Sequence, residues 1–108
     1  MKRFLVIMFT VLTVLSFSKV KVTFWGFTMN DEHAKKVLTT FMKENPDIDV
    51  EYVQLSWSNG FDKIVTAIAG GDALDVVELG NTWVASFADK GALENMDSFY
   101  KKYGKNYI

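Results

Sequence analysis

Apolar and polar positions along this chain change period in a repeated order. Val20, Val22 and Phe24 alternate with Lys21, Thr23 and Trp25, the period-two pattern of a strand with two different faces. Gly26 ends that pattern, and the polar turn Thr28-Met29-Asn30-Asp31 follows. Asn30 or Asp31 can cap a helix there, and Glu32 suits the positive end of the helix dipole. Ala34, Val37, Leu38, Phe41 and Met42 then recur at every third or fourth position, one apolar helical stripe. Asn45-Pro46 stops it, because the residue before proline is pushed out of the helical region.

The second unit copies the first. Ile48, Val50 and Tyr52 alternate, with Val53 and Leu55 on the opposite face. Ser56-Trp57-Ser58-Asn59-Gly60 makes the turn, and Phe61, Ile64, Val65, Ile68 and Ala69 repeat the stripe. Gly70 or Gly71 can take the left-handed conformation that closes a helix. A third, shorter run follows in Val76, Val77 and Leu79, of strand length rather than helix length. Asn81 or Thr82 can cap a helix carrying Val84, Phe87 and Ala88; Gly91 ends it, with Leu93 placed for the apolar contact that accompanies such an end. Beyond Asp97 the pattern weakens, though Ser98 could cap Phe99-Tyr100-Lys101-Lys102-Tyr103.

Strands alternating with amphipathic helices predict an α/β fold, a parallel-sheet βαβαβα segment. Ligands of such sheets sit beyond the carboxyl ends of the strands, which singles out Gly80 to Trp83. Three parallel strands leave sheet edges bare. The expectation is therefore that residues 19–108 form the front portion of a longer chain.

Residues 1–18 carry a different pattern. Met1-Lys2-Arg3 is a short basic head, and Phe4 to Phe17 is an apolar run interrupted only by threonine and serine. Ser16-Phe17-Ser18 supplies small residues where a signal peptidase cuts, so residues 1–18 are expected to be a secretory signal. A membrane-spanning helix is disfavoured, since such a run rises only about 21 Å against roughly 30 Å of hydrocarbon. Cleavage after Ser18 would remove Lys2 and Arg3 and move the formal net charge from −1 to −3. A periplasmic or secreted location follows, and the absence of cysteine leaves no acceptor for a lipid anchor.

The mild acidity gives no basic surface for nucleic acid. With one histidine and no cysteine, a metal site would need clustered carboxylates, and none cluster. His33 reads as a first-turn surface residue. Asp72, Asp75 and Glu78 invite comparison with the paired carboxylates of a glycosidase. Asp72 and Asp75, however, fall at the strand entrance, away from the turns, and only Glu78 could approach the crevice. Strand-edge solvation and turn hydrogen bonds are their expected roles. No dinucleotide or phosphate-loop motif is present. No catalytic residue, metal or cofactor is expected.

Trp25, Trp57 and Trp83 each fall where a strand hands over to the next helix. Parallel strands would bring all three turns to one edge of the sheet, beside Thr28, Asn30, Ser56, Ser58, Asn59, Asn81 and Thr82. Flat aromatic faces with neutral hydrogen-bonding groups suit a sugar, and one such ring buries about 150–250 Å². Trp25, being part of a strand, is expected as a support, and Trp83 as a ligand contact.

The order V-T-F-W-G-F, helix, N-P-D-I-D-V-E-Y, then A-G-G-D-A-L-D-V-V-E-L-G-N-T-W and F-A-D-K-G-A-L resembles the N-terminal part of family 1 extracellular solute-binding proteins, the maltose-type sugar-binding proteins of ABC importers. Leu74 stands where that family usually has proline. The resemblance implies a type II periplasmic-binding-protein-like fold, of which this chain would be an incomplete first lobe. It implies oligosaccharide as ligand and the importer's membrane permease subunits as partners. It also implies that sugar contacts fall on Phe27, Thr28, Ser56, Trp57, Asn81, Thr82 and Trp83, with the second lobe supplying aromatic stacking from the other side. Two alternatives remain at this point: the front of an exported carbohydrate-active enzyme, and a fragment that cannot bind without its second lobe.

Overall fold

The computed structural model describes residues 18–72 and 74–106. Its elements are β1 (Val20–Gly26), α1 (Asp31–Glu44), β2 (Ile48–Gln54), α2 (Gly60–Gly70), β3 (Val76–Val77), α3 (Asn81–Ala88), α4 (Asp97–Tyr103) and a closing 3-10 turn at Gly104–Asn106. The secretory signal expected at residues 1–18 lies outside the described residues except for Ser18.

The sheet is parallel throughout, in the order β2-β1-β3. Val20 pairs with Ile48 and the register holds through Gly26 and Gln54. On the other side of β1, Phe24 faces Val76 and Trp25 faces Val77. The chain therefore steps outward from β1 to β2, then returns past β1 to β3. That reversal places a crevice between the carboxyl ends of β1 and β3, the position at which doubly wound sheets accept ligands.

The two faces of the sheet follow the alternation in β1. Phe24 meets Tyr52 edge to face at 5.3 Å between ring centroids. On α1, Ala34 is buried and Leu38 and Met42 are half-buried, with Met42 reaching the amide of Val50. The opposite face carries the core: Phe27, Leu55, Ile64 and Phe87 are buried, and Trp25, Val53, Val77, Leu79 and Trp83 pack against them. Ile64 is fully buried, which is worth about 1.5–3 kcal/mol for a side chain of that size.

Most helix ends obey local chemistry. Asn30 caps α1, its Oδ1 accepting from the His33 amide at 2.8 Å, and Asn45 closes it. Gly71, at φ 76°, ends α2, and the Asp72 amide reaches back to the Ala67 carbonyl. Gly91, at φ 68°, ends the turn after α3 in the same way, with the Ala92 amide on the Phe87 carbonyl. Leu93 packs on the core as expected. Both are the six-to-one closures that favour glycine.

Four details depart from the pattern. The buried face of α2 is Gly60, Ile64 and Ala67, and Val65 and Ile68 stay exposed. Phe27 lies directly against Gly60 at the start of that face. On α3 the inward pair is Trp83 and Phe87, while Val84 is exposed. The cap of α3 is Gly80, without a side-chain hydrogen bond, so Asn81 and Thr82 lie inside the helix. Ser98 likewise lies inside α4, which starts at Asp97 and whose first amide is held by Asn95.

Candidate functional site

Two of the three tryptophans meet. The Trp57 ring stacks on Phe27 with centroids 4.2 Å apart and planes 20° from parallel. Trp83 stands edge-on to Phe27 at 5.6 Å and lies 5.6 Å from Trp57. Phe61 backs Trp83 at 5.2 Å. These rings form a graded stack: Phe27 is 6% exposed, Trp83 half-buried and Trp57 54% exposed. Aromatic pairs in such geometries contribute about 0.5–1.5 kcal/mol beyond the area they bury. Trp57 thus keeps an open face while its other face is fixed.

Trp25 does not join them. It sits inside β1, paired with Val53 and Val77, and packs against the core on the α2 face. The strand continues one residue past it, so its position is that of a support, unlike the turn positions of the other two.

Gly80 lies between the two indoles. A Cβ built on it would stand 3.5 Å from both the Trp57 and the Trp83 ring, which is ordinary van der Waals contact. Its φ of −60° and ψ of 138° are open to any residue. Asn81 and Thr82, both exposed, follow at the start of α3. Ser56 is exposed beside Trp57, and its hydroxyl is 2.7 Å from that of Ser58.

The fourth element of the rim is a carboxylate. Glu78 is the first residue after β3, and one of its oxygens accepts from the Phe27 amide at 2.8 Å, the Thr28 amide at 3.1 Å and the Thr28 hydroxyl at 3.1 Å. Partial burial would raise its pKa, but these three hydrogen bonds outweigh it and hold the carboxyl below its ordinary value. Next to it, Tyr52 Oη donates to the Met29 carbonyl at 2.7 Å. Burial, then the negative charges of Glu78 and Asp31, push the phenol's pKa upward, so it keeps its proton. Gly26 fills the narrow space between Tyr52 and Glu78. The loop from Phe27 to Asn30 is thereby tied to β3 on one side and β2 on the other.

Thr28, Ser56, Trp57, Asn81, Thr82 and Trp83 are all on the carboxyl side of the sheet, and Phe27 forms the floor under Trp57. The sequence pattern allowed Glu78 to approach the crevice but assigned it a turn hydrogen bond, not a tie to Thr28. A usable signal was present: a carboxylate immediately after a parallel strand, with threonine two residues past the neighbouring strand.

Asp75 shows a related arrangement at the other end of β3. Its Oδ2 accepts from the Thr23 amide at 2.8 Å and hydroxyl at 3.1 Å, and its own amide donates to Thr23 Oγ1. A cavity of about 450 Å³ also lies away from the indoles. It runs beside β3 and is walled by Ile64, Val77, Leu79, Phe87 and Leu93, the flank of the core itself. Among the described residues no three acidic or histidine side chains gather to hold a metal ion.

A parallel sheet with its chain reversal at β1/β3 and an aromatic, hydroxyl-lined rim there defines a ligand-binding α/β unit. Residues 29–108 match the family described as bacterial extracellular solute-binding protein, and the chain belongs to that family. Among solved structures it is similar to the ABC substrate-binding protein Lmo0181 from Listeria monocytogenes in complex with cycloalternan. The TM-score is 0.75 and the identity 32%, over 84% of this chain and 23% of that one. It is also 34% identical over 62 residues to an uncharacterized lipoprotein in the oleD 5' region of Streptomyces antibioticus, covering 57% of this chain and 14% of that protein. The chain thus spans less than a quarter of the length of either relative.

Proposed function

We propose that this chain forms the N-terminal part of the first lobe of an extracytoplasmic binding protein that captures an oligosaccharide for an ABC permease. Residues 1–18 are the export signal in this reading, and the working location is periplasmic or secreted. The observation that carries it is the open indole of Trp57, stacked on buried Phe27 and flanked by Trp83. A sugar ring has apolar C–H faces that rest on such a surface. Thr28, Ser56, Asn81 and Thr82 supply neutral partners for the hydroxyls at its edge. Family membership and the cycloalternan complex of a similar protein support the same ligand class.

The action is capture rather than catalysis. Buried polar groups left without partners cost about 1–3 kcal/mol, which lets a site reject sugars whose hydroxyls are misplaced. Closure of a second lobe would bury the sugar's other face. The test is to incubate the full chain with cycloalternan and with malto-, cello- and chito-oligosaccharides, following tryptophan fluorescence and chromatography of the sugar. A saturable fluorescence change with intact sugar supports the proposal. Sugar breakdown, or no response to any member of the panel, overturns it.

A further inference from the structure

Glu78 lies outside the set of contact residues, yet it is the best-connected polar group at the rim. Its Oε2 alone takes three donors from two successive residues of the β1–α1 loop. One of them is the only hydrogen that the Thr28 hydroxyl owns. A threonine hydroxyl has one donor and two acceptor lone pairs. With the donor directed at Glu78, only lone pairs remain to face outward.

We infer that Glu78 is a positioning residue for the sugar site, setting Thr28 as an obligatory hydrogen-bond acceptor and fixing the 27–30 loop against β3. This rests on the carbohydrate-binding reading above and narrows it. The ligand must offer a donating hydroxyl at the Thr28 position. A group that can only accept, such as an ether oxygen or fluorine, meets lone pairs there and is disfavoured.

The neighbouring atoms are consistent with this assignment. Gly26 has no room for a side chain: a Cβ would stand 2.9 Å from Tyr52 and 3.2 Å from the same Glu78 oxygen. The loop is therefore braced from β2 as well, through Tyr52 and the Met29 carbonyl at 2.7 Å. Tyr52 and, beyond it, Asp31 are the titratable groups around this brace. Tyr52 stays neutral throughout the range in which Glu78 gains its proton.

Two measurements test the inference. The first needs no ligand. In NMR spectra of the full chain, the Phe27 and Thr28 amide protons are expected downfield and to move together on acidification, at a midpoint below the ordinary glutamate value. In Glu78→Gln both pH-dependent shifts vanish. Amides that do not respond to Glu78 overturn the geometry.

The second uses the tightest-binding sugar of the panel named above. Glu78→Ala and Thr28→Val are each expected to weaken binding about tenfold, the scale of one well-placed hydrogen bond. Thr28→Ser and Glu78→Gln should restore most of it. The double variant should be no more than about tenfold weaker, because residues acting as one unit are not additive. Replacing the sugar's hydroxyls by fluorine one at a time should weaken wild type, but not Thr28→Val, at one position.

An additive double variant, or the lack of any such hydroxyl, overturns the inference while leaving sugar binding in place. Failure of the wild-type chain to bind any sugar overturns the broader proposal, and with it the ligand half of this one.

Discussion

Two carboxylates bracket the two-residue strand β3 and do different work. Asp75, before the strand, exchanges hydrogen bonds with Thr23, a residue inside β1. Glu78, after the strand, reaches past the end of β1 into the loop that carries Thr28. The first extends a short ladder with side-chain atoms. The second shapes the surface over which a ligand would pass. Similar hydrogen-bond chemistry thus extends pairing at the amino edge of the sheet and fixes a loop at the carboxyl edge. What separates them is whether the partner residue is in a strand or in a turn.

The comparison breaks most readily at Gly60, where the carboxyl edge meets the core. Phe27 lies against this glycine with no space for a methyl group. Gly60→Ala should destabilise by about 1–3 kcal/mol, as over-packing does, and should displace the Trp57 stack. Denaturant unfolding followed by near-UV circular dichroism reads both effects.

Trp57→Ala comes next, with a split outcome. Removing a ring that is already half in water should lower stability by about 1 kcal/mol, the value of its pairing with Phe27. Sugar affinity should fall further than that. Unchanged affinity in the folded variant would mean that the open face of Trp57 touches no ligand.

Asp75→Ala should cost about 1 kcal/mol of stability through the lost Thr23 hydrogen bonds. It should leave sugar affinity unchanged at temperatures where the chain is folded. A fall in affinity would erase the distinction between the two edges.

The pH dependence of stability sharpens the distinction. Glu78 has its pKa lowered by folding, so its contribution is complete above the ordinary glutamate value of about 4.3. It is lost as pH falls from there through the lower folded value. Wild type should lose stability across that window and Glu78→Gln should lose less; identical profiles would remove the three hydrogen bonds from the account. The smallest effect is expected at Phe99, 55% exposed on α4, where Phe99→Ser should change stability by less than about 0.5 kcal/mol.

The pattern of apolar residues located the three strands and the first three helices, whereas α4 was marked only by a Ser98 cap that the structure does not use. That pattern did not locate the order of the strands. Alternation says which residues share a face, but not on which side of β1 the third strand lies. That order makes neighbours of Glu78 and Thr28, fifty residues apart. The buried face of α2 was legible only in part: Ile64 belongs to the expected stripe, whereas Ala67 and Gly60, against which Phe27 lies, do not. At the rim, the meeting of Trp57 with Trp83 followed from parallel strands, and Trp25 was expected as a support because it belongs to a strand. Its backbone pairing with Val53 and Val77 is what assigns it to the core.

Gly80 has a consequence for how such a site diversifies. Its backbone would accept any residue, and a methyl group there would just touch both indoles. One carbon can therefore be added beside both rings without a refolding penalty. A lineage could reshape the surface between the two indoles through this position, leaving the scaffold beneath as it was.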